Sequence, residues 1–221
     1  TSLYYAENGR INKIKSINFP NSVGCFYAAM TEFLGYKPFN DEWKVMGMAA
    51  YGDSNKHPQI DKLVSLKDKG EYELDLSFFD FYNFDRSGFF SEKMETLLGT
   101  ARKTSDALEQ RHYDLAAATQ ALFGKIMDNL LDYLYEVTSC PNVCLSGGVA
   151  MNCLYNGKVT ESTGFSRCHI SFAPDDSGNS IGAALEASIG IGQKANAENL
   201  NSTIGQEFEN DYIGKILETY K

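Results

Sequence analysis

Apolar residues recur at spacings of three and four through Leu115, Ala118, Leu122, Ile126, Leu130, Leu134 and Val137. That period marks one buried stripe on a helix from about Leu108 to Thr138. The helix precedes a short apolar run, Val143 to Leu145, so it is expected to pack on a sheet. The run reads as a buried strand that breaks at Gly147-Gly148 and re-enters a helix. A second short strand, Cys168 to Phe172, leads through Pro174-Asp175-Asp176-Ser177-Gly178 into a helix from Ile181 to about Ile191.

Nearer the N-terminus, Leu3-Tyr4-Tyr5 and Ile11 to Ile17 are strand-like, and Asn8-Gly9 between them is a favoured two-residue hairpin turn. Pro20 stops the second strand. Asn21 or Ser22 then caps a helix that presents Phe26, Met30, Phe33 and Leu34 on one face and ends at Gly35. The stretch Asp41 to Gly52 is small-residue-rich and helical in period. Gly47 inside it costs up to about 1 kcal/mol against Ala, which suggests close packing or ligand approach there. His57-Pro58 opens a short helix to about Leu66, and residues 71–84 are strand-like and dense in aromatics, as in a core or a partner surface. Residues 53–105 read as an insertion. Lys194 to Ser202 is a polar linker, and residues 207–220 form a short, partly detached helix.

Composition narrows the class. The chain has 221 residues, 43% hydrophobic and 22% charged, enough to bury a core. Its net charge of −9 comes without any Lys/Arg cluster, which argues against a nucleic-acid groove. No apolar run approaches the roughly 20 residues of a membrane span. No signal-peptide pattern is present, and Thr1 in place of Met suggests a piece of a longer chain. Five cysteines, an odd number with no C-x-x-C pair, read as reduced core residues of a cytoplasmic protein.

Candidate chemistry centres on the Gly147-Gly148 turn. Glycines put no Cβ in the way of a ligand, and a following helix start suits a phosphate. Asn152 can donate or accept through its amide. A plain strand-to-helix turn is the competing reading, and on spacing alone the two stand equal. Ser22-Val23-Gly24 is a second helix start of this kind, with an ordinary cap as the alternative. Glu42 and Lys44 do not share a helix face, so one of them can point inward, where Lys44 could meet a phosphate or a buried carboxylate; a solvated Lys44 is the alternative. One Asp before a helix is a standard cap. Two in a row, Asp175-Asp176, leave a spare carboxylate for a cation. His112, near the start of the long helix, reads as a surface or capping residue rather than a ligand.

Four motifs now stand in order: SVGCFYAAMTEFLGY (22–36), EWKVMGMAAYG (42–52), CLSGGVAMNCLYNGKV (144–159) and PDDSGNSIGAALEA (174–187). Together they resemble the O-carbamoyltransferases of the nodulation-protein and antibiotic-tailoring type, with forms such as E-x-K-V-M-G-L-A-x-Y-G and L-x-G-G-V-A-x-N. The resemblance spans most of the chain. It implies an α/β fold of the actin and sugar-kinase (ribonuclease H-like) type, here its second half-domain, a mixed sheet with flanking helices. In such enzymes this domain binds ATP and a divalent metal, usually iron, and transfers a carbamoyl group from carbamoyl-adenylate to an acceptor hydroxyl on a sugar or natural product. A second domain makes the adenylate from carbamoyl phosphate and ATP. By position, Gly147, Gly148, Val149 and Asn152 hold the nucleotide, Ser22 and Gly24 form a facing turn, Lys44 lies nearby, and Asp176 matches the metal-binding Asp. Asp175 stands where the family has Gly, so both carboxylates remain candidates.

The family's two metal-binding His at helical spacing have no counterpart in His57, His112 or His169, and the adenylate-forming domain has none either. Residues 1–192 are therefore read as half of the first domain, and 193–221 as a linker toward another. A homodimer is an admitted partner. The alternatives are half of an actin-like small-molecule kinase, or a non-catalytic nucleotide-binding module.

Overall fold

The computed structural model describes residues 1–193 and 205–220, so the Lys194–Ser202 linker lies outside the described residues. The chain divides into two compact units, residues 1–170 and 171–221.

The first unit opens with the hairpin β1 (Ser2–Glu7) and β2 (Arg10–Ser16). Asn8 and Gly9 take positive φ, 52° and 74°, as a two-residue turn that matches strand twist requires. Helix α1 (Val23–Phe33) follows, with the Ser22 hydroxyl accepting from the Cys25 N–H at 3.2 Å. Its Phe26, Met30, Phe33 and Leu34 are all buried. Helix α2 (Glu42–Ala49) is short, and a Cβ on Gly47 would meet nothing within 4 Å, so the close packing expected there is absent. The close approach occurs instead at Gly52. A Cβ there would lie 1.9 Å from the Tyr113 carbonyl oxygen.

The region from 53 to 105 is less strand-rich than its composition suggests. A 3-10 turn, Pro58–Leu63, leads into the antiparallel pair β3 (Val64–Lys67) and β4 (Glu71–Leu74). The expected strand stops at Leu74 because Asp75 accepts from the Ser77 N–H at 3.0 Å and starts another 3-10 turn. Tyr72, Phe78 and Phe79 are buried in the same core as α1, whereas Phe84 is 91% exposed. The Tyr72 hydroxyl donates to the Asn21 carbonyl at 3.0 Å and accepts from the Val23 N–H at 3.1 Å, fastening β4 to the start of α1. Helix α3 (Glu92–Leu98) adds Met94 and Leu98 to that core.

Helix α4 (Gln110–Thr138) carries the anticipated stripe, buried up to Leu134, with Val137 exposed at its end. Leu131, Phe123 and Met127 widen the stripe to a broader face. Its principal neighbours are α2, α1 and the turns at 54–63 rather than the following strand. Strand β5 (Asn142–Leu145) pairs in parallel with β6 (Arg167–Ile170), joined by the one-turn helices α5 (Cys153–Asn156) and α6 (Val159–Ser162). Among the described residues the strands form three two-stranded sheets, not one mixed sheet. Tight turns close the two antiparallel pairs onto their sequence neighbours, and only β5 and β6 need a crossover.

In the second unit a 3-10 turn, Asp176–Gly178, opens α7 (Asn179–Gly190), and α8 (Asn210–Thr219) follows; neither helix buries a side chain. The five cysteines are free thiols, as expected, but none is core: Cys144 and Cys153 are exposed and the others half-buried. No helix among the described residues is long and apolar enough to cross a membrane.

Candidate functional site

Strand β5 ends beside Gly147, whose φ of 94° and ψ of 165° suit glycine alone. A single 3-10 turn, Gly148–Met151, follows, and Asn152 then caps α5 by accepting from the Tyr155 N–H at 3.0 Å. The sequence suggested one helix leaving the turn. The chain instead makes two successive single turns, because Asn152 restarts the hydrogen bonding. So short a run aligns few peptide dipoles, and anion attraction there rests on local N–H groups more than on a helix dipole. A Cβ on Gly147 or on Gly148 would meet nothing within 4 Å, so the turn faces open space.

The start of α1 lies against this turn. A Cβ on Gly24 would sit 3.4 Å from Val149 Cγ2 and 3.7 Å from the Ser22 hydroxyl. Ser22, Gly24 and Val149 are thus brought together, and the Ser22 hydroxyl accepts from the Cys25 N–H as the cap of α1.

One turn further along α1, Tyr27 donates to Gln120 Oε1 at 2.9 Å. Gln120, on α4, also pairs amide to amide with Asn152, both bonds being 3.0 Å. The Asn152 side chain is buried, and its carbonyl accepts from both Gln120 and Tyr155. The Asn152 amide donates to Gln120 Oε1 and also bears on the Tyr27 hydroxyl, so the three side chains form one closed network. Burial, first of all, pushes the Tyr27 phenol well above its ordinary range, so it stays neutral and donates. Tyr27 and Gln120 were not singled out as site residues; the available signal was a glutamine beside the apolar stripe of α4.

Lys44 stands at the start of α2, ion-paired to Asp41 at 3.0 Å and lying 5.4 Å from the Tyr36 ring centroid. In the second unit, Asp175 is the cap. Its carboxylate accepts from the Ser177 hydroxyl and N–H, and those bonds hold it below the usual carboxylate range. Asp176 is exposed and outside the cap, which makes it the spare carboxylate of the pair. His112 is buried, not on the surface: Nδ1 accepts from the Glu109 N–H at 2.9 Å in a capping box that starts α4. Among the described residues no three His, Cys, Asp or Glu side chains gather as a metal site, so these residues do not by themselves fit a metal.

Residues 1–185, which include the turn, the start of α1 and the Asp175-Asp176 pair, match the Carbamoyltransferase N-terminus family. The chain belongs to the carbamoyltransferase family. Nodulation protein NolNO of Sinorhizobium fredii is 36% identical over 183 residues, covering 81% of this chain and 25% of that protein. Nodulation protein NolO of Bradyrhizobium diazoefficiens is 34% identical over 189 residues, 83% and 32% respectively. Uncharacterized protein sll1178 of Synechocystis sp. is 34% identical over 187 residues, 84% and 30%. The chain therefore spans about a quarter to a third of the length of these carbamoyltransferase-family relatives.

Proposed function

We propose that this chain is the nucleotide-facing part of an ATP-dependent O-carbamoyltransferase, built on the second half of an actin-like domain. The observation that carries the reading is the open Gly147-Gly148 turn with the start of α1 set against it through Gly24 and Val149. The turn receives the adenosine and phosphates of carbamoyl-adenylate. The acceptor hydroxyl oxygen bonds to the carbamoyl carbon, the bond from that carbon to the phosphate oxygen breaks, and AMP leaves with the electron pair as the hydroxyl proton is released. Backbone N–H groups of the turn then face the charge gathering on the departing phosphate. The Gln120–Asn152–Tyr27 network holds the turn against α1 and α4. Asp176 is the carboxylate offered to a metal; a lone carboxylate is not a metal site, and no step here depends on it.

The test is calorimetric titration of ATP and AMP into the chain and its Gly148→Val variant. Gly148 has open space where a Cβ would go, so the variant should fold normally. Wild-type binding that weakens at least tenfold in the variant supports the reading. Equal binding by both would remove the nucleotide from this turn. Carbamoylation of an acceptor hydroxyl from carbamoyl phosphate and ATP, assayed on the protein as it occurs, tests the activity itself.

A further inference from the structure

Helix α4 meets the segment after the Gly147-Gly148 turn at two places on one face. Gln120 holds Asn152 at the first. Asp128 stands at the second, about two helical turns or ~12 Å further along. Its Oδ1 accepts from the Tyr155 hydroxyl at 2.8 Å and from the Ser162 hydroxyl at 2.9 Å, so one carboxylate ties both α5 and α6 to α4. The buried Tyr155 joins the two places. Its N–H donates to Asn152 Oδ1 at 3.0 Å, its ring meets Phe123 edge to face at 5.7 Å between centroids, and its hydroxyl reaches Asp128. Tyr155 stays the donor in that last bond. Burial first, then the bond to Asp128 and its charge, push the phenol well above its ordinary range.

A segment held at one point can pivot, whereas one held at two keeps its direction. Between Gln120 and Asp128 stands Gly124, where a Cβ would meet nothing within 4 Å, so α4 gives the segment no packing there. The second attachment rests on the Phe123 ring and on Asp128. A ring contact tolerates sliding, while a hydrogen bond to a carboxylate is short and directional. Asp132, one turn on, counts against Asp128 as a source of bulk stability. Like charges four apart on a helix repel, and burial, then the Asp128 charge, raise the Asp132 carboxyl above its usual range. We propose that Asp128 is a positioning residue: through Tyr155 it fixes the direction in which the Gly147-Gly148 turn presents its backbone N–H groups. The consequence for phosphate affinity rests on the nucleotide reading; the positioning does not.

Amide hydrogen exchange in the ligand-free 221-residue chain tests the positioning, and calorimetry with ATP tests its consequence. The variants are Asp128→Ala, Tyr155→Phe and Asp128→Asn. The Ala150 and Asn152 N–H groups donate to the Gly147 and Val149 carbonyls at 2.9 and 3.1 Å and report on the turn. The Met30 N–H, in the buried middle of α1, reports on global opening. Losing a hydrogen bond to a charged group shifts such an equilibrium roughly tenfold or more. Asp128→Ala and Tyr155→Phe should therefore each speed exchange at Ala150 and Asn152 roughly tenfold more than at Met30, and weaken ATP binding by a similar factor. Asp128→Asn keeps an oxygen that accepts from Tyr155 and should stay close to wild type in both readings. Lost stability alone would speed Met30 as much as the turn. That result, or unchanged exchange at the turn in Asp128→Ala and Tyr155→Phe, overturns the proposal. If Asp128→Ala does not fold, Tyr155→Phe, which keeps the ring on Phe123, decides it by the same readings. A loosened turn in variants of a wild type that binds no ATP sinks the nucleotide reading and leaves the positioning standing. A loosened turn with wild-type ATP affinity overturns the link from Asp128 to the phosphate.

Discussion

Gln120 concentrates more of the site's organisation than any other side chain in it. It satisfies the buried Asn152 amide and the Tyr27 hydroxyl at once, from a helix far away in sequence. Removing it takes one bond from the Tyr27 hydroxyl and two from the Asn152 amide, which keeps Tyr155, and a buried polar group left short of a partner costs about 1–3 kcal/mol. Gln120→Ala should therefore lower unfolding stability by about 1–3 kcal/mol in urea titration, and weaken ATP binding with it. His112 makes a different kind of demand. Its Nδ1 accepts from Glu109, so Nε2 carries the hydrogen, and that buried atom has no partner. Burial, first of all, and then the Arg111 charge lower its pKa; Arg102 acts in the same sense, and Glu109 and Asp106 oppose it. The sign follows from linkage. The unfolded His takes up a proton near ~6.5, whereas the folded one resists it. Its contribution is complete above that pH and is lost as pH falls through the depressed folded value. Stability measured from pH 7 to pH 5 should fall, and the His112→Gln variant should fall less steeply.

At the scale of elements, α2 offers a paired test. Gly47 lies inside the helix with open space before it, so Gly47→Ala should stabilise the chain by up to about 1 kcal/mol. Gly52 lies against the Tyr113 carbonyl, and Gly52→Ala should cost about 3 kcal/mol. Thermal melts of the two variants should move in opposite directions. The same contrast explains what was legible in the sequence. Asn8-Gly9, the Ser22 cap and the α4 stripe act locally, so their residues disclose the hairpin and both helices. Gly52 and Gly47 look alike in sequence, because only the chain brought back from residue 113 distinguishes them. The aromatic stretch after Tyr72 misleads for a related reason: Asp75 ends the strand through a side-chain bond that hydrophobic periodicity does not register. At the site, the glycine turn and its facing helix start were legible as motifs. The Gln120–Asn152 pair was not, since it joins residues 32 apart.

At the scale of the molecule, apolar surface is unevenly placed. The core cluster lies entirely within the first 170 residues, whereas α7 and α8 bury nothing and leave Ile189, Ile213, Ile216 and Leu217 exposed. A net charge of −9 keeps copies apart while it is unscreened. At 1 M salt the screening length falls to about 3 Å, and that repulsion fades. Sedimentation velocity should show a monomer at low salt and self-association at high salt. A chain ended at Ile170 should remain folded and lose the association. Cys153 gives the same molecule a practical use. Its exposed thiol directly follows Asn152, beside the proposed nucleotide turn. With Cys144, the other exposed thiol, changed to Ser, a maleimide fluorophore on Cys153 becomes a reporter placed where occupancy of the turn would alter its emission, and ligand protection against labelling could be followed without any assay of turnover.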